Sequence, residues 1–206
     1  MALVKHNNNS ISDITSAGQL AQGKMTLISS QTASSSTSIE FTSGIDSTYP
    51  IYRFEFINIH PSSTNVNGES FKFNLSTDGG SNYNVTKTST YFYAVHTEAD
   101  VTAFSYYVGG DLAQGTGDQL LSAELGGGND ESLSGEMYLF NPSSSTFVKH
   151  FMATVSESRA SAGESNNYIA GYGNTTSPIN AVKFSMIRAG ENIQSGTFKL
   201  YGIKGD

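Results

Sequence analysis

Carboxylates within strand-like segments are the first side chains of this sequence that could carry chemistry. Hydrolysis of a glycosidic bond requires two of them, facing each other at about 5–10 Å. Glu55 and Glu136 both lie in segments where apolar and polar residues alternate. Because each alternates with apolar neighbours, we expect each to point to solvent or to a neighbouring subunit. We therefore do not predict a catalytic pair.

Histidines could bind a metal ion or gather around a three-fold axis. The chain has four, His6, His60, His96 and His150, and the last three fall in or at the end of predicted strands. Their spacing along the chain is too wide to form the sequence signature of a zinc site. We expect unrelated histidines on sheet faces or in loops.

A glycine-rich acidic loop occupies residues 126–131, with the sequence Gly-Gly-Gly-Asn-Asp-Glu. Carboxylates of this kind bind Ca²⁺, but the loop lacks the alternating spacing of oxygen ligands that is typical of a calcium loop. We predict a mobile surface loop, and cation binding by it stays an open alternative.

Nucleophilic and nucleotide-dependent chemistry have no recognisable motif here. The chain has no Cys, so a thiolate nucleophile, a thiolate metal site and a disulfide are all ruled out. Serines are abundant, but none lies in a G-x-S-x-G turn. Phosphate-binding and dinucleotide-binding glycine motifs are absent as well. We predict that the protein is not an enzyme, with no catalytic, cofactor-binding or metal-binding residues.

The amino-acid composition indicates which kinds of partner the protein is suited to bind. Charged residues make up 14% of the chain, against about 25% in soluble proteins, and Ser, Thr and Asn take their place. The net charge is −7 and the 11 basic residues are scattered, which argues against nucleic-acid binding. The N-terminal residues lack the apolar run of a signal peptide, and no segment has the length of a membrane span.

The elements that would position any site are strands. About ten segments from residue 25 onward alternate apolar and polar side chains, and turn residues separate them; residues 51–60 are apolar on both faces and predict a central strand. The fold prediction is all-β, a jelly-roll-like antiparallel β-sandwich over residues 25–206 with an extended N-terminal arm, residues 1–24. Residues 118–125 are the best candidate for a helix, of two turns at most.

One turn has a recognisable form. Residues 76–83, Ser-Thr-Asp-Gly-Gly-Ser-Asn-Tyr, resemble the Asp-box hairpin of sialidases, where the box is a folding element. The match departs from that pattern at Asn82 and Tyr83. Its two glycines supply the left-handed backbone of a tight turn, so we predict a stable hairpin between the strands on either side.

Exposed aromatic residues suggest a second class of function, a carbohydrate-binding module. Jelly rolls often bind sugars through aromatic side chains on a sheet. The candidates are Tyr91, Phe92 and Tyr93 in one strand, and Tyr106 with Tyr107. The alternative interpretation is that these are core and edge aromatics of ordinary strands.

Six segments follow one another in a fixed order along the chain: residues 27–33 (Leu-Ile-Ser-Ser-Gln-Thr-Ala), 41–46 (Phe-Thr-Ser-Gly-Ile-Asp), 56–61 (Phe-Ile-Asn-Ile-His-Pro), 139–143 (Leu-Phe-Asn-Pro-Ser), 170–176 (Ala-Gly-Tyr-Gly-Asn-Thr-Thr) and 196–204 (Gly-Thr-Phe-Lys-Leu-Tyr-Gly-Ile-Lys). Together they are similar to a family of virion structural proteins of tailed bacteriophages from marine and freshwater bacteria. The resemblance implies a particle component and no catalytic residues.

Two placements in a virion follow as expectations. The first is a tail-fibre or baseplate-associated protein, a homotrimer held by its arm to other virion proteins and able to contact a host surface glycan. The second is a capsid decoration protein of the cement or head-fibre type. Either would be made in the host cytoplasm and leave it inside the particle.

Overall fold

The computed structural model describes residues 25–63 and 68–205, and within them the chain forms twelve strands and no helix. Strand accounts for 55% of the structure, in two antiparallel sheets packed face to face. The all-β sandwich predicted from the alternation of apolar and polar residues is confirmed. The proposed arm, residues 1–24, lies outside the described residues, as does His6.

The strands differ widely in length, from two to eleven residues. In chain order they are β1 Met25–Thr32, β2 Ile39–Phe41, β3 Ile51–Pro61, β4 Phe71–Ser76, β5 Lys87–Thr97, β6 Thr102–Tyr106, β7 Gln119–Leu120, β8 Leu133–Phe140, β9 Lys149–Arg159, β10 Gly163–Gly173, β11 Ala181–Met186 and β12 Ile193–Ile203.

The strand order is that of a jelly roll with one extended sheet. The larger sheet runs β1-β12-β3-β8-β9-β10-β5-β6 and the smaller runs β2-β11-β4-β7. The pairs β1–β12, β2–β11, β3–β8 and β4–β7 form one long antiparallel ribbon that alternates between the two sheets. This wrapped ribbon gives the eight-stranded core of a jelly roll. The other four strands, β9, β10, β5 and β6, widen the larger sheet.

Aromatic side chains fill the space between the sheets. Tyr52, Phe54 and Phe56 of β3 alternate onto the inner face, and all three are buried. Phe184 of β11 lies at the centre, with its ring 5.0 Å from that of Phe56 and in contact with several further phenylalanine rings. Such rings bury large apolar areas and interact edge to face, so they supply much of the stabilisation of the core.

One residue of β3 breaks the predicted alternation. Asn58 has a positive φ of 51° at an irregularity in the pairing of β3 with β8. A bulge of this kind inserts one residue and reverses the faces that follow it. Ile59 is therefore fully buried in the core, although regular alternation along β3 would place it on the face opposite Phe56.

The helix considered for residues 118–125 does not form. Gln119–Leu120 is strand β7, which pairs with β4, and the amide of Leu121 donates to the carbonyl of Phe71 at 2.7 Å. A helix of two turns is only marginally stable alone. The apolar side chains Leu121 and Leu125 bury themselves completely as extended chain against the sheets, so tertiary packing decided the conformation.

The hairpin predicted at residues 76–83 is wrong, although its turn is present. Gly79 and Gly80 have φ of 72° and 92°, and the side chain of Asp78 accepts the amide of Asn82 at 2.9 Å. The strands on either side do not pair, because β4 belongs to the small sheet and β5 to the large one. The turn carries the chain from one sheet to the other.

Candidate functional site

The outer face of the eight-stranded sheet is the most distinctive surface of the described residues. Half of each long strand is buried between the sheets, and the alternate residues form this outer face. In β9, for example, Phe151, Ala153 and Val155 are buried while His150 and Met152 are exposed. The face divides into an apolar groove over β8, β9, β10 and β5, and an ion-pair cluster over β12, β3 and β8.

The apolar groove has a volume of about 460 Å³. Most of the residues that line it are apolar or aromatic; those that carry the argument are Ile51, Phe92, Tyr138, Phe140, Met152 and Tyr168. It continues into a second depression of about 470 Å³ beside His150 and Tyr172. An open groove of this size with so few polar groups suits an apolar side chain of a partner.

Paired rings stand on both sides of the groove. Tyr138 and Phe140 of β8 are stacked with centroids 6.2 Å apart and an interplanar angle of 18°. Phe92 of β5 and Tyr168 of β10 are stacked at 5.1 Å and 13°. Each pair covers one face of both rings, so only the opposite faces could stack on a sugar.

The outer edge of the face carries exposed apolar side chains. Phe104 of β6 is 73% exposed and its ring lies 5.6 Å from that of Phe92. Tyr106 of β6 is about half exposed, as is Met152 of β9 in the interior of the sheet. Single exposed apolar residues are ordinary, but a continuous patch of this kind marks a surface that binds another molecule.

The ion-pair cluster brings together two carboxylates that the sequence analysis considered separately. Glu55 and Glu136 are directly opposite each other in the register of β3 and β8. Arg53 joins them, with its Nε 2.6 Å from Glu136 and its Nη2 3.4 Å from Glu55. Tyr201 donates to Glu55 at 3.1 Å and Tyr138 donates to Glu136 at 3.1 Å. Both carboxylates point to the outer face, as expected, and both are engaged.

Arg53 is the residue that binds the cluster together. Partial burial alone would lower the pKa of its guanidinium, but the hydrogen bond and charge of Glu136 outweigh burial and raise it. An arginine that contacts both carboxylates screens one from the other. The arrangement is therefore suited to a structural role or to contact with a polar partner.

The histidines are far from one another. His60 Nδ1 lies 2.8 Å from the carbonyl of Glu131, and His96 contacts the exposed Asp100 at 3.1 Å. His150 stands beside the ring of Tyr172. In residues 25–63 and 68–205, no three acidic or histidine side chains come close enough to hold a metal ion.

The carboxylate of Glu131 is bound within its own loop, residues 126–131. The amide of Gly128 donates to Glu131 Oε2, and the carboxyl group fills the space where a Cβ on Gly126 would stand. The glycines are thus explained by close packing around Glu131, and cation binding there stays an untested alternative.

Only two of the five aromatic residues considered for sugar binding reach the outer face. Phe92 lines the groove and Tyr106 is exposed on β6. Tyr91 is completely buried and donates to Asn167 at 2.7 Å. Tyr107 packs against Tyr91 and Tyr93 from the inner side.

A polar layer that was not predicted from the sequence lies beneath the strands that widen the large sheet. Its buried members are Asn74, Lys87, Ser89, Gln119, Glu157, Ser165 and Asn167. Burial raises the pKa of Glu157 to about 7, although nearby Asn167 and Ser122 act in the opposite direction. The signal was present in the sequence, because Glu157 continues the inward phase of Phe151, Ala153 and Val155.

None of the described residues forms a helix long and apolar enough to cross a bilayer. Comparison with protein-family models, with characterised proteins and with solved structures gave no match.

Proposed function

We propose that this protein is a non-enzymatic structural component of a bacteriophage virion, and that the apolar groove on its outer face binds another protein chain. The observation that carries the proposal is the groove itself, with its stacked ring pairs and the exposed Met152 and Phe104 beside it. The centres of protein interfaces are rich in aromatic residues and methionine and poor in charge.

The ring geometry favours a protein partner over a carbohydrate. A sugar ring stacks on a free aromatic face and needs polar groups that converge on its hydroxyls. In the groove each ring covers one face of its stacked neighbour. Met152 and Ala170, which line the groove with them, have no polar side-chain group to offer a sugar hydroxyl. Recognition of a host surface glycan remains a separate proposal, tested by a glycan array on the isolated protein.

The partner we propose is a neighbouring copy in a homotrimer. The large sheet ends at β1 on one side and at the short, exposed β6 on the other. Open sheet edges promote pairing with other chains, and closed oligomers cover them. A trimer would bury the exposed rings of β6 and its edge together.

The proposal that the protein belongs to a virion rests on the similarity of six segments to a family of phage structural proteins. The jelly roll is compatible with this role, because capsid and other particle proteins often use it. The tail-fibre or baseplate position is our first proposal, with capsid decoration as the alternative. Copy number per particle separates the two, since decoration requires hundreds of copies and a fibre tens or fewer.

The experiment is a mass measurement of the full chain in solution, with three variants. We expect a trimer for the wild type, and a shift toward monomer for Met152→Lys and Phe104→Lys, because each places a charge in the proposed interface. Ile187→Lys, an exposed apolar position next to the small sheet, is the matched control and should stay trimeric. A monomeric wild type would refute the trimer.

A further inference from the structure

A lysine without solvent contact lies between the two sheets. Lys87, the first residue of β5, has an exposed fraction of 0%. Its Nζ donates to Asn74 Oδ1 at 2.6 Å and to the carbonyl of Val85 at 2.8 Å. Burial lowers the pKa of the Lys87 amine to about 8, so a substantial fraction is uncharged in mildly alkaline solution. An uncharged amine is a nucleophile.

The amide that Lys87 contacts is held on its other side by a carboxylate. Asn74 of β4 is buried, and its Nδ2 donates to Asp118 Oδ1 at 2.9 Å. Burial raises the pKa of Asp118, but the hydrogen bonds from Lys72 and Asn74 and the charge of Lys72 outweigh it and lower the pKa. Asp118 is therefore ionised near neutral pH and can accept a proton.

The distance between amine and carbonyl is short enough for reaction. A carbonyl bond is about 1.23 Å long, so Nζ of Lys87 lies no more than about 3.8 Å from Cγ of Asn74. Reacting atoms in productive complexes are about 3–3.5 Å apart. The amide of Leu75 donates to Asn74 Oδ1 at 2.9 Å and would stabilise negative charge that develops on that oxygen.

We propose that Lys87 and Asn74 form an intramolecular isopeptide bond, with Asp118 as the catalytic residue that transfers the proton. Three groups that the reaction needs meet at one place: a buried amine, a buried carboxamide whose oxygen accepts from the amine, and a partly exposed carboxylate on the leaving nitrogen. Each of these contacts is an ordinary hydrogen bond. Together they place an amine, a carboxamide and a carboxylate in the order that formation of a cross-link requires.

The step balances without any oxidant or cofactor. The uncharged Lys87 amine attacks Cγ of Asn74 with the lone pair of Nζ, so that Nζ and Nδ2 become neighbours on one tetrahedral carbon. Asp118, already hydrogen-bonded to Nδ2, takes one proton from Nζ and gives it to Nδ2. The Cγ–Nδ2 bond then breaks and the carbonyl re-forms. One ammonia is released, Asp118 is again a carboxylate, and Nζ and Cγ are joined by an amide. Exclusion of water protects the product.

The bond would connect the two sheets. Asn74 belongs to β4 in the small sheet and Lys87 to β5 in the large one, and these strands do not pair with each other. The chain has no Cys, so no disulfide can hold the layers together. A covalent bond here resists separation of the sheets, the property that a durable particle component needs.

The test is the intact mass of the full chain, followed over time after purification near pH 8. We expect the mass to fall below the value given by the sequence by one ammonia. After denaturation, a protease that cleaves before aspartate cuts before Asp78, between the two linked residues. The fragments containing Asn74 and Lys87 should nevertheless stay joined. An unchanged mass after prolonged incubation would overturn the proposal.

Three variants define the origin of the mass loss. Lys87→Arg keeps a positive charge but removes the nucleophile, and it should retain the full mass. Asp118→Asn should slow the loss by at least tenfold. Lys149→Arg is the matched control, since Lys149 is equally buried but its Nζ donates only to the carbonyls of Phe147 and Thr175; it should lose ammonia like the wild type.

A succinimide has the same mass as the cross-linked chain. It would form between an asparagine, either Asn74 or one such as Asn67 that precedes a glycine, and the next backbone amide, and it would not involve the lysine. Loss of ammonia that persists in Lys87→Arg, or fragments that separate after cleavage before Asp78, would assign the mass change to the succinimide and refute the isopeptide bond.

Discussion

Replacing Glu157 by Gln should remove a large part of the pH dependence of stability. The Glu157 side chain is buried on the inner face of β9, and its Oε2 atom has no hydrogen-bond partner, while Oε1 accepts the amide of Glu124 at 3.4 Å. Burial therefore favours the protonated carboxyl and raises its pKa to about 7.

The sign and size of this pH effect follow from the difference in the pKa of Glu157 between the folded and the unfolded chain. The unfolded carboxyl loses its proton near pH 4.5, whereas the folded one keeps it up to about pH 7. The stabilisation from the bound proton is complete below pH 4.5 and is lost as the pH rises through 7. A rise in pKa from 4.5 to about 7 corresponds to about 3 kcal/mol.

The assay is chemical denaturation of wild type and Glu157→Gln at a series of pH values from 4 to 9. We expect the free energy of unfolding of the wild type to fall by about 3 kcal/mol across this range, relative to the variant. Gln mimics the protonated carboxyl, so the variant should be more stable than wild type above pH 7. Glu164→Gln, on the exposed face of β10, should keep the wild-type profile.

The reasoning would be refuted by a Glu157→Gln profile parallel to that of the wild type. That result would mean that the folded carboxyl titrates at the same pH as the unfolded one. A variant that becomes less stable than wild type only as the pH rises would show instead that Glu157 is ionised and paired in the folded protein.

Three further changes test the core, one close backbone approach and one turn. Phe184→Ala should lower the free energy of unfolding by about 3–5 kcal/mol in denaturation, since it leaves a large cavity among aromatic rings, whereas the exposed Phe147→Ala should change it by less than about 0.5 kcal/mol. Gly135→Ala should cost about 1–3 kcal/mol in the same assay, because the new Cβ would stand 2.3 Å from the carbonyl oxygen of Thr154; an unchanged stability would contradict this close approach. Hydrogen bonds from Asn82 and Ser76 lower the pKa of Asp78 to about 2, so its stabilisation is present above pH 3.8 and is lost as the pH falls through 2; Asp78→Ala should lack this acid-range loss in thermal unfolding at pH 2 to 5.

Local alternation was enough to predict which face of most strands is buried. Phe54 and Phe56 of β3 share one face of their strand, as do Phe198 and Leu200 of β12, because side chains in a strand point alternately to opposite sides, and in both strands that face is buried. Apolar side chains then face the core wherever the register is regular. The failure at Ile59 has the same origin, since the bulge at Asn58 changes the phase and no periodic pattern signals it.

The candidate sites were much less predictable. Glu55 and Glu136 were considered from the sequence, but the register of β3 and β8 sets them opposite each other and places Arg53 between them. The groove was missed because it depends on side chains from five strands, and two of them, Phe92 and Tyr168, are 76 residues apart in the chain. Strand pairing at such separations leaves no trace in local periodicity.

The sequence by itself determined that this is an all-β chain, that its strands have one apolar face, and that Asp78 with its two glycines makes a turn. These follow from side-chain periodicity and backbone sterics, which act over a few residues. Only the tertiary structure decided which strands are neighbours. It sent β4 and β5 to different sheets, and so brought Asn74 and Lys87 into contact across the core, because burial of apolar faces is satisfied by the whole sandwich rather than by any one turn.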